Sequence, residues 1–248
     1  MTNTTDNYEI ECASGIDIGR VRHVNQDRCD CFETSNPGSH ILIVADGMGG
    51  HAGGEVAAEI AIESVKKINK TPFSDPRKHL IKSFELAAKQ LIKRADSDEN
   101  LHNMGCTLSL ILYHKKQVFA GHIGDSRIYK ISNGTIHQLS EDHSLVREMV
   151  KQGAVKPENA RTHPNSNILL KALTINSQSD YDIYEPVKVL PKDVLLVCSD
   201  GLWNMVEDKE IMNIAIDNTA EKAVKLLIDR ANELGGKDNI AVSIMRII

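Results

Sequence analysis

The sequence predicts an α+β fold with antiparallel sheets, on three observations. Helical periodicity is concentrated in two separate pairs of segments, 55–96 and 208–234, and the apolar runs with strand character lie outside them. The links between the strands expected over 107–139 are about three residues long, too short for the helical crossover that parallel pairing demands. Neither a repeat nor a linker interrupts the 248 residues, and 41% of them are hydrophobic, so one domain over 1–248 with a full core is expected.

The elements follow in order. The Asp17 to Phe32 stretch mixes Val, Ile and polar residues and reads as a strand region with a turn near Gly19. Ile41-Leu42-Ile43-Val44-Ala45 is a continuous apolar run, the pattern of a buried strand, and it ends in Asp46-Gly47. A glycine-rich stretch, 47–54, leads into a helix over 55–68 whose apolar face is marked by Val56, Ile60, Val65 and Ile68. Pro76 opens a second helix, where its missing N–H has no partner to lose; Leu80, Phe84, Ala87, Ala88, Leu91 and Ile92 form the stripe. Strands over 107–113, 117–123 and 127–131 are expected to form a meander, with Asn133-Gly134 as the hairpin turn before 135–139. Ser144 to Gln152 reads as a short helix, and 154–180, polar and rich in His, Asn and Ser, as a mobile surface segment. Val194 to Cys198 is a second buried strand, ending at Asp200-Gly201. Helices over 208–216 and 220–234, the latter stopped by Gly235-Gly236, precede a closing strand at 240–248.

Composition excludes several functions. With 29 basic and 34 acidic residues the net charge is −5, and no concentrated basic face is readable, which argues against nucleic-acid binding. The longest apolar runs fall far short of a membrane span, and Met1 to Asn7 lacks the basic and apolar regions of a signal peptide, so a cytoplasmic protein is expected. Five cysteines, an odd number with no Cys-x-x-Cys pair, suit a reducing compartment. None has an arginine six positions later, so a cysteine nucleophile with a phosphate-cradling arginine has no support.

Three apolar strands end in an acid beside a glycine: Asp46-Gly47, Gly124-Asp125 and Asp200-Gly201; a fourth acid, Asp238, precedes the final strand. One such pair is most often a turn. Several at neighbouring strand ends would gather carboxylates whose repulsion raises their pKa values unless a divalent cation neutralises them, and glycine would let a backbone carbonyl approach that cation. A dinucleotide-binding turn, Gly47-x-Gly49-x-x-Ala52, is a poor rival. The helix after it is followed by another helix instead of a parallel strand, and Asp46 would repel the pyrophosphate. Neither a P-loop nor a serine-hydrolase elbow is present.

Five blocks are spread over nearly the whole chain: Asp17-Ile18-Gly19-Arg20-Val21-Arg22-His23-Val24-Asn25-Gln26-Asp27, Val44-Ala45-Asp46-Gly47-Met48-Gly49-Gly50-His51-Ala52-Gly53-Gly54-Glu55, Gly124-Asp125-Ser126-Arg127-Ile128-Tyr129, Ser199-Asp200-Gly201-Leu202-Trp203 and Lys237-Asp238-Asn239-Ile240. In this order they resemble the bacterial form of the metal-dependent protein serine/threonine phosphatases, the type 2C group. The resemblance implies a four-layer α-β-β-α sandwich of two antiparallel sheets flanked by helix pairs, with a flap at about 141–180 and a metal site at one edge. It implies two or three Mn²⁺ or Mg²⁺ ions: Asp46 bridging two, the Gly47 carbonyl on one, Asp200 and Asp238 on the other, and Asp27 holding a metal-bound water. Asp125, together with Asp200, would hold a weaker third ion. Arg22 would grip the substrate phosphate. A water bridging the two ions would attack the phosphorus of phosphoserine or phosphothreonine on a protein substrate, with no phosphoenzyme. His51 is a candidate acid for the leaving oxygen and equally a residue filling a turn. A monomer opposing a cognate serine/threonine kinase is expected, without nucleic-acid or membrane partners.

Two positions depart from the family pattern. Gln26 stands where the family usually has Glu, removing a negative charge beside the metal site, and Lys171-Ala172-Leu173-Thr174 stands where bacterial members usually read Arg-Ala-Leu-Gly. Gln26 alone supports the alternative of a metal-binding pseudophosphatase acting as a binding module. Hydrolysis of small phosphoesters would leave the same metal residues and differ only in the flap.

Overall fold

The computed structural model describes residues 8–50, 53–176 and 180–248. Its elements in chain order are β1 (Ile10–Asp17), β2 (Asp27–Glu33), β3 (His40–Met48), α1 (Gly53–Asn69), α2 (Pro76–Asp96), β4 (Gly105–Cys106), β5 (Leu108–His114), β6 (Gln117–Ile123), β7 (Arg127–Ser132) and β8 (Thr135–Gln138). Then come α3 (Leu145–Lys151), α4 (Pro157–Ala160), β9 (Leu173–Thr174), β10 (Asp182–Ile183), β11 (Val187–Lys188), β12 (Val194–Cys198), α5 (Asp200–Trp203), α6 (Asp208–Asp217), α7 (Ala220–Glu233) and β13 (Ile240–Ile247).

Strand alternation builds the layers. Side chains two residues apart share a face, so Ile41, Ile43 and Ala45 of β3 pack with α1 and α2, while Leu42 and Val44 pack toward a second sheet. In β12, Leu195 and Val197 fill the space between the sheets, and Val194, Leu196 and Cys198 meet α6 and α7. The outcome is the expected helix–sheet–sheet–helix sandwich. One sheet has the order β1-β13-β12-β7-β8; the other runs β10-β6-β5-β3-β4-β9, with β2 also on β3 and β11 also on β6, and every pairing is antiparallel. Ser243 is polar yet buried between the sheets, and its hydroxyl donates to the carbonyls of Asp30 and Ile43.

Several expectations need correction. The meander over 107–139 does not form: β5 and β6 pair with each other, but β7 pairs with β12 in the opposite sheet, so the chain changes sheets at Gly124-Asp125-Ser126. The expected strand region over 17–32 is two strands separated by a loop, 18–26, and β1 begins at Ile10. On α1 the buried face is Ala57, Ala58, Ala61, Ile62 and Val65; Val56 and Ile60 are only partly buried beside it. Two points of the described part of 154–180 bond to the body of the fold. Leu173–Thr174 pairs with Gly105–Cys106, and the N–H of Leu145 donates to Ile168 C=O (2.8 Å).

Candidate active site

Antiparallel order brings five acids to one end of the sandwich. β3 runs toward that end and delivers Asp46; β2 and β13 start there with Asp27 and, just before the strand, Asp238; α5 opens there with Asp200; and the β6–β7 corner adds Asp125. Arg22, Asp46, Gly47, Asp125, Asp200 and Asp238 all line one open cleft, and Asn167 and Leu169 reach it from the 141–180 segment. Asp27 lies behind this surface. It is the register partner of Asp46 and only 1% exposed. His51 lies outside the described residues.

Neutral hydroxyls and amides hold the carboxylates. The backbone of Asp46 is clamped by Thr107, whose Oγ1 accepts from Asp46 N–H (3.0 Å) and whose N–H donates to Asp46 C=O (2.8 Å). Ser199 Oγ donates to Asp27 (2.6 Å) while accepting from Ala241 N–H (2.9 Å). Asn239 ties the 18–26 loop to β13: its amide donates to Ile18 C=O and Val24 C=O (2.9 and 3.0 Å), and its Oδ1 accepts from Gln26 N–H (2.8 Å). A Cβ on Gly201 would run into the Asn239 carbonyl, so glycine there lets α5 close on this loop and sets Asp200 against Asp238. Behind Asp125, Trp203 Nε1 donates to its carbonyl (3.0 Å), and Arg127, paired with Asp142 at 2.7 Å, stacks 3.6 Å over the Trp203 ring. Thr107, Ser199 and Asn239 were missed as site residues. Ser199 and Asn239 stand beside Asp200 and Asp238 in the motif blocks, which is the signal that could have found them.

The electrostatics are those of buried, crowded carboxylates that Arg22 only partly offsets. Asp46 lies within hydrogen-bonding reach of both Asp27 and Asp200. Burial, and then the charges of Asp27, Asp200, Asp125 and Asp238, hold Asp46 well above the usual carboxylate range. Burial pushes Asp27 up to about 7 against the opposing Ser199 hydrogen bond, with Asp200 and Asp238 adding to the rise. Asp200 reaches about 6 through burial and the Asp238 charge, with Arg22 opposing, and Asp125 is held well above its usual value by burial and then by Asp200 and Asp142.

These residues fit divalent cations. The side-chain donors are all oxygen, which suits hard ions such as Mg²⁺ and Mn²⁺, and the raised pKa values mark a place where added positive charge is favourable. Among the described residues no three His, Cys, Asp or Glu side chains close into a finished cage. The acids line an open cleft, so water and the Gly47 carbonyl would complete the coordination. Arg22 is the cation already present. Its guanidinium donates to Asp238 (2.7 Å), a bond that raises its pKa, and its side chain is 51% exposed at the cleft mouth.

The family model for protein phosphatase 2C matches residues 19–237. A serine/threonine phosphatase stp from Listeria welshimeri is 40% identical over 233 residues, covering 91% of each chain. The crystal structure of serine/threonine phosphatase Stp1 from Staphylococcus aureus superposes with a TM-score of 0.90 at 29% identity, over 98% of this chain and 96% of that one. A crystal structure of the catalytic domain of the phosphatase PstP, in complex with two manganese ions, gives 0.87 at 28% identity over 96% and 98% of the two chains.

Proposed function

The chain belongs to the protein phosphatase 2C family and is a serine/threonine phosphatase of that type; from that premise we propose that it removes phosphate from phosphoserine and phosphothreonine in proteins at the carboxylate cleft, opposing a serine/threonine kinase. The observation that carries this reading is the convergence of Asp46, Asp125, Asp200 and Asp238 on one cleft, beside an arginine. Asp46, Asp200, Asp238 and the Gly47 carbonyl would hold two divalent ions, with Asp125 and Asp200 available to a further, weaker one, and 1–248 would work as one catalytic domain. Bound there, Mg²⁺ or Mn²⁺ supplies the charge that offsets the phosphoryl oxygens and lets a water ionise near neutral pH.

The chain's own residues do the rest. Among the described residues lining the cleft, Thr107 carries the one hydroxyl, and it is engaged with Asp46 N–H and with Ser126 Oγ (2.8 Å). No unengaged hydroxyl or thiol therefore lines the described part of the cleft, and its carboxylates are the proposed ion ligands, which supports direct attack by water. Asp27, with one oxygen fixed by Ser199 and Asp46 as its neighbour, would orient a water from behind the cleft surface. Arg22, exposed on its loop, can offer its remaining guanidinium N–H groups to a phosphate. Arg22→Ala is expected to raise KM for a phosphopeptide about tenfold or more, with a smaller change in kcat. Steady-state kinetics checks this; an unchanged KM with a collapsed kcat would assign Arg22 another role. Gln26 contributes its backbone to the same corner, donating to Asn239 and accepting from Gly47 N–H (3.2 Å), and these bonds do not depend on its side chain.

Phosphate release from a phosphothreonine peptide tests the reading. Release is expected with Mn²⁺, to be abolished by chelator and to be restored by Mn²⁺. Full turnover by chelated protein would refute the metal requirement, and activity confined to small aryl phosphates would refute the protein substrate.

A further inference from the structure

Two buried histidines outside the carboxylate cluster converge on the backbone of Gly124, the residue that precedes Asp125. His122 is 0% exposed and His143 8%, and their rings lie 5.0 Å apart. The N–H of Gly124 donates to His143 Nδ1 (3.1 Å). Its carbonyl accepts from the His143 backbone N–H (2.7 Å) and from His122 Nε2 (3.0 Å). Gly124 has a φ of +114°, which side-chain-bearing residues rarely adopt, and a Cβ there would collide with Thr107. This glycine is where the chain leaves one sheet for the other, and both of its polar groups are held by imidazole-bearing residues.

The partners assign the tautomers. A backbone N–H can only donate, so His143 Nδ1 is unprotonated; the proton sits on Nε2 and donates to Asp182 Oδ2 (3.0 Å). A carbonyl can only accept, so His122 also carries its proton on Nε2, and its Nδ1 accepts from the Ser109 hydroxyl (2.7 Å). Burial, reinforced by His143, pushes His122 down to about 4, consistent with a neutral ring. His143 itself belongs to the 141–180 segment; Leu170 N–H donates to its backbone carbonyl (2.8 Å), and Asp182 lies on β10, paired with β6 at His122.

We propose that His143 is a positioning residue for Asp125: from within the 141–180 segment it accepts the Gly124 N–H and so sets the direction in which the Asp125 carboxylate enters the cleft, which couples that direction to the segment. The proposal rests on the reading of Asp125 as a functional cleft carboxylate. A second contact, from Trp203 Nε1 to the Asp125 carbonyl, holds the other side of the same residue, so the carboxylate is aimed from both flanks.

Two substitutions separate the two ring nitrogens. In His143→Asn the amide oxygen falls near the position of Nδ1 and can still accept from Gly124. In His143→Gln the amide reaches toward Nε2 and Asp182, and the Gly124 N–H loses its acceptor. The expected result is near-wild-type kcat on a phosphothreonine peptide for the Asn variant. For the Gln variant, a fall of about 10- to 100-fold at little-changed KM is expected, the range seen when a residue orienting a ligand is lost. Gly124 amide hydrogen exchange should stay protected in the first and accelerate in the second. Equal kcat in both variants would overturn the proposal. Asp125→Ala, assayed alongside, keeps the two failures apart. If it loses turnover while His143→Gln does not, only the positioning role is wrong; if it retains turnover, the reading of Asp125 falls and the proposal with it. A nitrogen NMR measurement on the unmodified protein serves even where a variant fails to fold. His143 is expected to show an unprotonated Nδ1 at neutral pH, and a protonated Nδ1 would overturn the proposal.

Discussion

Asp46→Ala is expected to abolish phosphopeptide turnover while the fold survives. The two hydrogen bonds that fix Asp46 in place are made by its backbone to Thr107, and truncation at Cβ leaves both intact. What disappears is a carboxyl placed between Asp27 and Asp200, within reach of each, and held well above its ordinary pKa by burial and by the surrounding acids. Crowding of that kind makes the side chain a poor contributor to the stability of metal-free protein, so its melting temperature should change by only a few degrees. The functional loss should be large. Removing a residue that merely orients a metal ligand costs about 10- to 100-fold, so removing the central carboxylate should cost more than about 100-fold. Two measurements on one purified sample decide it: kcat, and the rise in melting temperature on adding Mn²⁺, which the variant should lose. Retained turnover, or global unfolding by circular dichroism, would place Asp46 in the framework and leave the cleft without its central ligand.

The second large effect is on stability against pH in metal-free protein. A carboxylate with a folded-state pKa above its unfolded value binds its proton more tightly in the folded state. Stability from such groups is highest below the unfolded pKa and is lost as pH rises toward the folded value. Asp27 at about 7 and Asp200 at about 6, against roughly 3.9 for an unfolded aspartate, place the loss between about pH 4 and 7, and Asp46 and Asp125 act in the same direction. The melting temperature of chelated protein is therefore expected to fall by several degrees from pH 5 to pH 7.5, setting aside acid effects elsewhere in the molecule. Mn²⁺ should reverse this. At about a hundredfold excess over Kd, binding to the folded state alone contributes ~2.7 kcal/mol, or about 5–10 °C for a chain of this size. Calorimetry at both pH values, with and without metal, reads the effect directly. A melting temperature that rises across this window in chelated protein and ignores Mn²⁺ would mean that the acids are neutralised by something else.

Much of the molecule could be read without coordinates because the relevant signals are local. The run from Ile41 to Ala45, the Pro76 start of α2 and the stripe from Leu80 to Ile92, buried as far as Leu91, each follow from side-chain periodicity and backbone chemistry within a few residues. The acids beside glycines were legible for the same reason, as was Arg22 within its motif block. β1 was not legible as a strand beginning at Ile10: it is an edge strand, half-buried along most of its length, so it lacks the apolar run that marks β3 and β12.

Sheet membership was decided only in three dimensions. A link of about three residues between β6 and β7 looks like a hairpin, yet Gly124, at positive φ against Thr107, turns the chain into the other sheet, where β7 gains β12 as its partner. The same nonlocality governs the site. Asp27 meets Ser199 across 172 positions, Gln26 meets Asn239 across 213, and His143 meets Asp182 and Gly124 at a junction of three segments. The sequence by itself determined which residues could carry charge, cap a helix or end a strand, because those properties belong to a residue and its immediate neighbours. Which carboxylate would be buried, which would face the cleft and which imidazole nitrogen would hold a proton depended on partners from distant parts of the chain, since burial and hydrogen-bond pairing exist only once the two sheets have packed.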